Sequence, residues 1–292
     1  MPPTDSTDSS PRLDDRPARG GDPGALRLDS NEGPLPPPEL TAILEQLDPE
    51  RLRRYPDSAP LEARIAALLG VKPRQVLVGT GGDGTIASFA GALLGPSASP
   101  SPVPFVCHTP TFGMIPANAR LFGAQVAEIE WFDGEFPLDP FLEAARAPGA
   151  HAAIVSPNNP TGTTVELDAI EAVASTLTDG ALLLDLAYEE FAEQDLATPA
   201  LGLPNVVQLR TLSKAWGLAG LRVGYVVGAV EWIDRVTPDG TWSGNVNDFY
   251  RRLVREGYLE KHGESRGSWY TVPSMAQDDQ TISQSDPSLG QS

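Results

Sequence analysis

Short apolar runs alternate with stretches of helical spacing along most of this chain. Leu40, Ile43, Leu44 and Leu47 fall on one face of a predicted helix over 39–47. Pro60 to Leu69 repeats that spacing, with Pro60 at a first helical position and Gly70 as the stop. Predicted strands lie at 76–78, 104–108, 125–129, 152–155, 181–184, 206–209 and 223–227. Helices are expected over 85–94, 114–122 and 167–177, with a Ser/Pro-rich loop at 95–102. Strands that take turns with helices predict a three-layer α/β/α sandwich around a largely parallel mixed sheet. Ligands in such folds bind beyond the carboxyl ends of the strands. Asn159, Asp185 and Lys214 each follow a predicted strand, so one cleft can hold all three.

The ends of the chain depart from this pattern. Residues 1–24 are rich in Pro, Asp, Ser and Gly and read as a disordered leader. After Arg235 the character changes: 236–275 opens with turn residues and contains a predicted helix from Asn247 to Leu259. The polar stretch 276–292 reads as a disordered tail.

Composition narrows the possibilities. With 40% hydrophobic residues the 292-residue chain is globular in type. Its net charge of −18 repels phosphate backbones, which argues against nucleic-acid binding by the chain as a whole. Cys107 is the one cysteine, so no disulfide forms within the chain, and a reducing, cytoplasmic location is the expectation. No apolar run is long enough to span a bilayer. His108, His151 and His262 lack metal-ligand spacing and read as structural.

Lysine is scarce: Lys72, Lys214 and Lys261 are the three copies. A lysine removed from water can lose its proton and condense with an aldehyde. Lys214 stands in Thr211-Leu212-Ser213-Lys214-Ala215-Trp216-Gly217, with Leu221-Arg222-Val223-Gly224 just beyond. Upstream lie Asp185-Leu186-Ala187-Tyr188 and Ser156-Pro157-Asn158-Asn159-Pro160-Thr161-Gly162. Each piece also has a plain structural reading. Asp185 can cap the next turn, Asn159 before proline is an ordinary turn former, and Gly79 to Gly84 can be a tight turn. Phe112, judged by spacing alone, is a core residue, and Arg222 can be a surface ion pair.

Taken in order, these motifs resemble the fold-type I pyridoxal phosphate aminotransferases, and within them the histidinol-phosphate aminotransferase group. Leu28-Asp29-Ser30-Asn31-Glu32, Arg54-Tyr55-Pro56 and Thr109-Pro110-Thr111-Phe112-Gly113-Met114 add to the likeness, which covers about 26–235. The resemblance implies pyridoxal 5′-phosphate joined to Lys214, with Asp185 on the pyridine nitrogen and Tyr188 and Asn159 on the phenolic oxygen. It implies backbone donors at Gly81, Gly82 and Asp83 for the phosphate, aided by Ser213 and Arg222, and Phe112 stacked on the ring. Tyr55 resembles a residue that reaches the phosphate of a neighbouring subunit, which implies a homodimer. Asn31 and Glu32 resemble a segment that closes over substrate, although Gly33 follows where many relatives carry a larger residue.

The implied reaction moves an amino group from an amino donor, histidinol phosphate by resemblance, to a 2-oxo acid such as 2-oxoglutarate. A lyase or decarboxylase on the same scaffold, or a cofactor-binding protein without turnover, are the alternatives. Relatives continue beyond the lysine region with a smaller domain whose arginine clamps the substrate. No arginine after 235 matches it in context. Residues 253–261 and 267–271 instead resemble the last helix and wing of a winged-helix domain.

Overall fold

The computed structural model describes residues 31–237, apart from 32, 37, 47 and 55, together with 260–262 and 269–271. Seven strands form one sheet in the order β1-β7-β6-β5-β4-β2-β3. They are β1 (Val76–Thr80), β2 (Pro104–Thr109), β3 (Gln125–Glu130), β4 (His151–Val155), β5 (Leu182–Asp185), β6 (Val206–Thr211) and β7 (Val223–Val227). From β3 through β6 every neighbouring pair is parallel, and β7 runs antiparallel to both β6 and β1. The reason is connection length. Only residues 212–222 join β6 to β7, and a parallel return needs a crossover of about a dozen residues or more. The lysine-bearing segment is that short return.

The central strands are buried on both faces, and their alternating side chains feed two cores. Leu183, Ala153, Val155, Val207 and Leu209 pack against helices α4 (Gly81–Leu93), α5 (Met114–Leu121) and α9 (Val230–Val236). Leu182, Leu184, Ala152, Ile154 and Val206 pack against α6 (Leu138–Ala145), α7 (Leu167–Thr176) and α8 (Ala197–Ala200). This is the expected three-layer sandwich. The same parity sends Asp185 to the α4 side, because it lies two residues beyond Leu183.

Two histidines brace the sheet from within. His108 Nε2 accepts the Val155 N–H at 3.0 Å, so Nδ1 carries the proton and donates to Pro110 O at 3.3 Å. His151 Nδ1 accepts the Ala181 N–H at 3.0 Å. Burial pushes both imidazoles down to about 4, which keeps them neutral at pH 7.

Some expectations are corrected. The glycine-rich segment is not a loop leading to a helix at Thr85; α4 begins at Gly81, and Thr85 Oγ1 donates to Gly82 O at 2.7 Å inside its first turn. The predicted helix over 39–47 forms α1 (Pro38–Glu45) and ends earlier. Leu40 and Ile43 on its apolar face lie exposed, because no described element packs on them. Helices α6 and α9 were not anticipated, nor were short α2 (Pro49–Arg53) and α8. In α9, Trp232, Ile233 and Val236 supply the buried face. The helix expected from Asn247 to Leu259, the leader and the tail lie outside the described residues. Two short strands, β8 (Glu260–His262) and β9 (Trp269–Thr271), pair antiparallel. Among the described residues no helix is long and apolar enough to cross a membrane.

Leu184 sits wholly buried at the middle of the sheet. Leu184→Ala is expected to lower unfolding free energy by about 2–5 kcal/mol through lost burial and a residual cavity. A shift of the urea midpoint at constant slope measures it.

Candidate active site

Register assembles the site. The β4–β5 rung Val155↔Asp185 and the β5–β6 rung Asp185↔Leu209 set three chain exits side by side. Asn159, Tyr188 and Lys214 follow those exits by a few residues. On the other side, the antiparallel rung Thr80↔Val223 places the residues just outside it, Gly81 and Arg222, against each other. Gly81 has φ +73°, and a Cβ there would lie 2.7 Å from Arg222 Nη2. The left-handed turn favours glycine there, and the movable guanidinium lies directly on it.

One cleft opens at these strand ends. Gly82, Asp83, Phe112, Asn159, Asp185, Tyr188, Ser213, Lys214 and Arg222 all line it. Gly81 flanks it through its contact with Arg222, and Tyr55 lies outside the described residues. Lys214 and Asp185 therefore share a single cavity. Lys214 Nζ stands 5.5 Å from the centre of the Tyr188 ring. The sequence reading missed Thr211, a buried strand-end hydroxyl that also lines the cleft. Its Oγ1 accepts the Ser213 N–H at 3.2 Å and fixes the turn just before the lysine. A buried polar residue closing an apolar strand was the available signal.

The structural and chemical readings of several residues hold together. Asp185 Oδ1 accepts the Ala187 N–H at 3.0 Å, so the carboxylate does cap its own turn. Arg222 Nη2 pairs with Asp83 Oδ2 at 3.2 Å, with both side chains about half exposed. Phe112 packs on the α4-side core and also faces the cleft.

Asp185 is electrostatically out of balance. Burial pushes its carboxyl up to about 6; the Ala187 N–H opposes the shift, Asp83 adds to it and Lys214 offsets part. A buried carboxylate whose charge is so poorly compensated favours a cationic partner.

Residues 33–34 lie directly over the lysine turn. A side chain on Gly33 would run into the Lys214 carbonyl oxygen, and one on Gly217 into Pro34 O. Asn31 Nδ2 donates to the Tyr188 hydroxyl at 3.1 Å. The strap thus touches both loops, and glycine at 33 is what lets it come so near.

The fold is that of the fold-type I pyridoxal phosphate-dependent transferases. Residues 23–286 match the family described as aminotransferase class I and II, and the chain belongs to that family. Histidinol-phosphate aminotransferase 1 of Nostoc sp. is 36% identical over 206 residues, covering 70% of this chain and 56% of that protein. Histidinol-phosphate aminotransferase of Thermococcus kodakarensis is 39% identical over 213 residues, covering 71% and 60%. The chain spans 56–61% of the length of such curated relatives. The solved structure of histidinol-phosphate aminotransferase from Sinorhizobium meliloti, in complex with pyridoxal-5'-phosphate, shares the fold. Its TM-score is 0.61 at 22% identity, over 80% of this chain and 72% of that one.

Two outcomes are expected. Asp185 holds its proton more tightly folded than unfolded, so its contribution to stability is complete below pH 3.8 and lost as pH rises through about 6. Asp185→Asn should remove a penalty of roughly 3 kcal/mol for the ligand-free chain at pH 8 and change little at pH 3. The buried histidines act in the opposite sense over part of that range, so denaturant titrations of both proteins at each pH isolate the difference. Gly33→Ala should cost about 1–3 kcal/mol locally. Hydrogen exchange should quicken at Gly217 N–H, which donates to Lys214 O at 3.1 Å, while β5 amides stay protected.

Proposed function

We propose that the cleft binds pyridoxal 5′-phosphate and that the protein is a transaminase. The observation that carries this reading is that Lys214, Asp185 and the start of α4 face one cleft at the carboxyl ends of the strands. The residues present fit the group. Asp185, buried and lacking a full counter-charge, suits a protonated ring nitrogen. The N-terminus of α4 offers backbone donors at Gly82 and Asp83, and Arg222 and Ser213 add a guanidinium and a hydroxyl for a phosphate. Phe112 offers an apolar face to a ring.

When bound, the cofactor supplies an aldehyde that takes up an amino group and a ring that draws electrons from the bond being broken. Lys214 Nζ supplies the amine that anchors it. A free Nζ would be the base placed to take up and return a proton at the substrate carbon. Asp185 keeps the ring nitrogen's proton in place. Tyr188 and Asn159, which also line the cleft, would offer the ring hydrogen-bond donors.

Histidinol phosphate as amino donor and 2-oxoglutarate as acceptor are the favoured pair, supported by the names of the relatives. A homodimer, with Tyr55 reaching a second copy's phosphate, belongs to the same reading.

The purified chain with pyridoxal phosphate should show the visible absorbance band of a lysine-bound cofactor. Histidinol phosphate should bleach it and 2-oxoglutarate should restore it. Lys214→Ala should abolish the band and lower any turnover by at least about 10²-fold. A wild-type chain without the band would sink the proposal. Carbon dioxide or a deaminated product without transfer to the oxo acid would point to decarboxylation or elimination instead.

A further inference from the structure

Glu190 lines no part of the cleft, yet it joins the two loops that carry the reactive groups. It lies in the 3-10 turn Glu189–Phe191, directly after Tyr188. Its Oε1 accepts from Arg210 Nη2 at 3.0 Å and from Trp216 Nε1 at 3.3 Å. Arg210 stands on β6, and Trp216 follows Lys214 by two residues. One carboxylate oxygen therefore ties the Tyr188 turn to β6 and to the lysine loop. The Arg210 and Glu190 side chains keep 13% and 26% of their accessible surface, so this pair is less screened than an open surface ion pair. Arg210 Nε is buried and has no acceptor among the described residues, which makes the guanidinium depend more on Glu190. The strap at 33–34 presses on the same lysine turn from elsewhere, so the loop is pinned at Lys214–Gly217 by backbone packing and at Trp216 by this bond.

We propose that Glu190 is a positioning residue: by holding Arg210 and Trp216 it sets the Lys214 loop against the Tyr188 turn, and so governs how readily Lys214 Nζ reaches an aldehyde in the cleft. This rests on the reading that the cleft binds pyridoxal phosphate. Bond formation there is a condensation: the Nζ lone pair adds to the aldehyde carbon, a C=N bond forms and the carbonyl oxygen leaves as water. Borohydride then delivers hydride to that carbon and leaves a stable secondary amine on Lys214.

Two ligands separate positioning from mere stability. Pyridoxine 5′-phosphate carries a hydroxymethyl group in place of the aldehyde, so it uses the ring and phosphate contacts but forms no bond to Nζ. In Glu190→Ala, affinity for pyridoxine phosphate should stay within about threefold of wild type. The rate of borohydride-trappable pyridoxal phosphate on Lys214, followed by peptide mass, should fall about 10- to 100-fold. Glu190→Gln, which keeps an oxygen acceptor for both donors, should recover most of that rate. Trp216→Phe, which loses only the indole N–H, should show a smaller loss in the same direction. Equal weakening of both ligands in every variant, or wild-type trapping in Glu190→Ala, overturns the proposal. If Glu190→Ala does not fold, the Gln and Phe variants decide: trapping and affinity falling together in Trp216→Phe overturns it. A wild-type chain that binds neither ligand defeats the cofactor reading itself, a result distinct from the others.

Discussion

A carboxylate buried at the end of the central strand is the constraint around which this structure is arranged. Asp185 is 3% exposed, and its carboxylate accepts a backbone N–H from Ala187. Nothing in packing alone favours that choice, since the neighbouring Leu182, Leu183 and Leu184 show that an apolar residue is readily housed there. The acid makes sense as half of an interaction whose other half arrives from outside. Lys214 offsets only part of the imbalance. A cationic ring nitrogen would offset the cost of keeping that carboxylate ionised and turn a stability cost into binding selectivity.

The sheet's one antiparallel strand completes the site. Had the chain crossed over after β6, Arg222 would have had no reason to lie beside Gly81. The short return makes β7 antiparallel, and its rung with β1 then fixes a guanidinium next to a helix N-terminus. Those close donors matter in a chain of net charge −18, even with Asp83 paired to the guanidinium. Screening over about 8 Å at physiological ionic strength leaves the far surface with little say, so the close donors dominate what the cleft attracts.

Much of this was legible because the chemistry sits at strand ends, where apolar runs stop abruptly at Asp185 and before Asn159 and Lys214. The sandwich followed from the alternation of runs and helical stretches. What escaped reading depends on partners distant in sequence. The helix start at Gly81 looked like a loop because four glycine or small polar residues carry no helical signal; in the fold Arg222, 141 positions later, lies against it. Gly33 looked like a departure from the pattern, but its missing side chain is what admits the strap to the Lys214 turn. Glu190 looked like one acid among 39, and only the fold brings Arg210 and Trp216 to it.

The plain and the chemical readings of these residues prove to be compatible, and energetics explains why. Arg222 is a half-exposed ion pair with Asp83, an arrangement worth about 0–1 kcal/mol. A group held by so weak a partner can exchange it for a phosphate at little cost. Phe112 rests on the core with one face turned to the cleft, so it needs no rearrangement to meet a ring. By contrast, the groups that fix geometry are held by partners a ligand cannot replace: the buried Thr211 hydroxyl on Ser213 N–H, and the sheltered Arg210–Glu190 pair. Weak bonds at the ligand's positions and sheltered ones behind them are what a preorganised site requires, because only the first set has to be given up when the ligand enters.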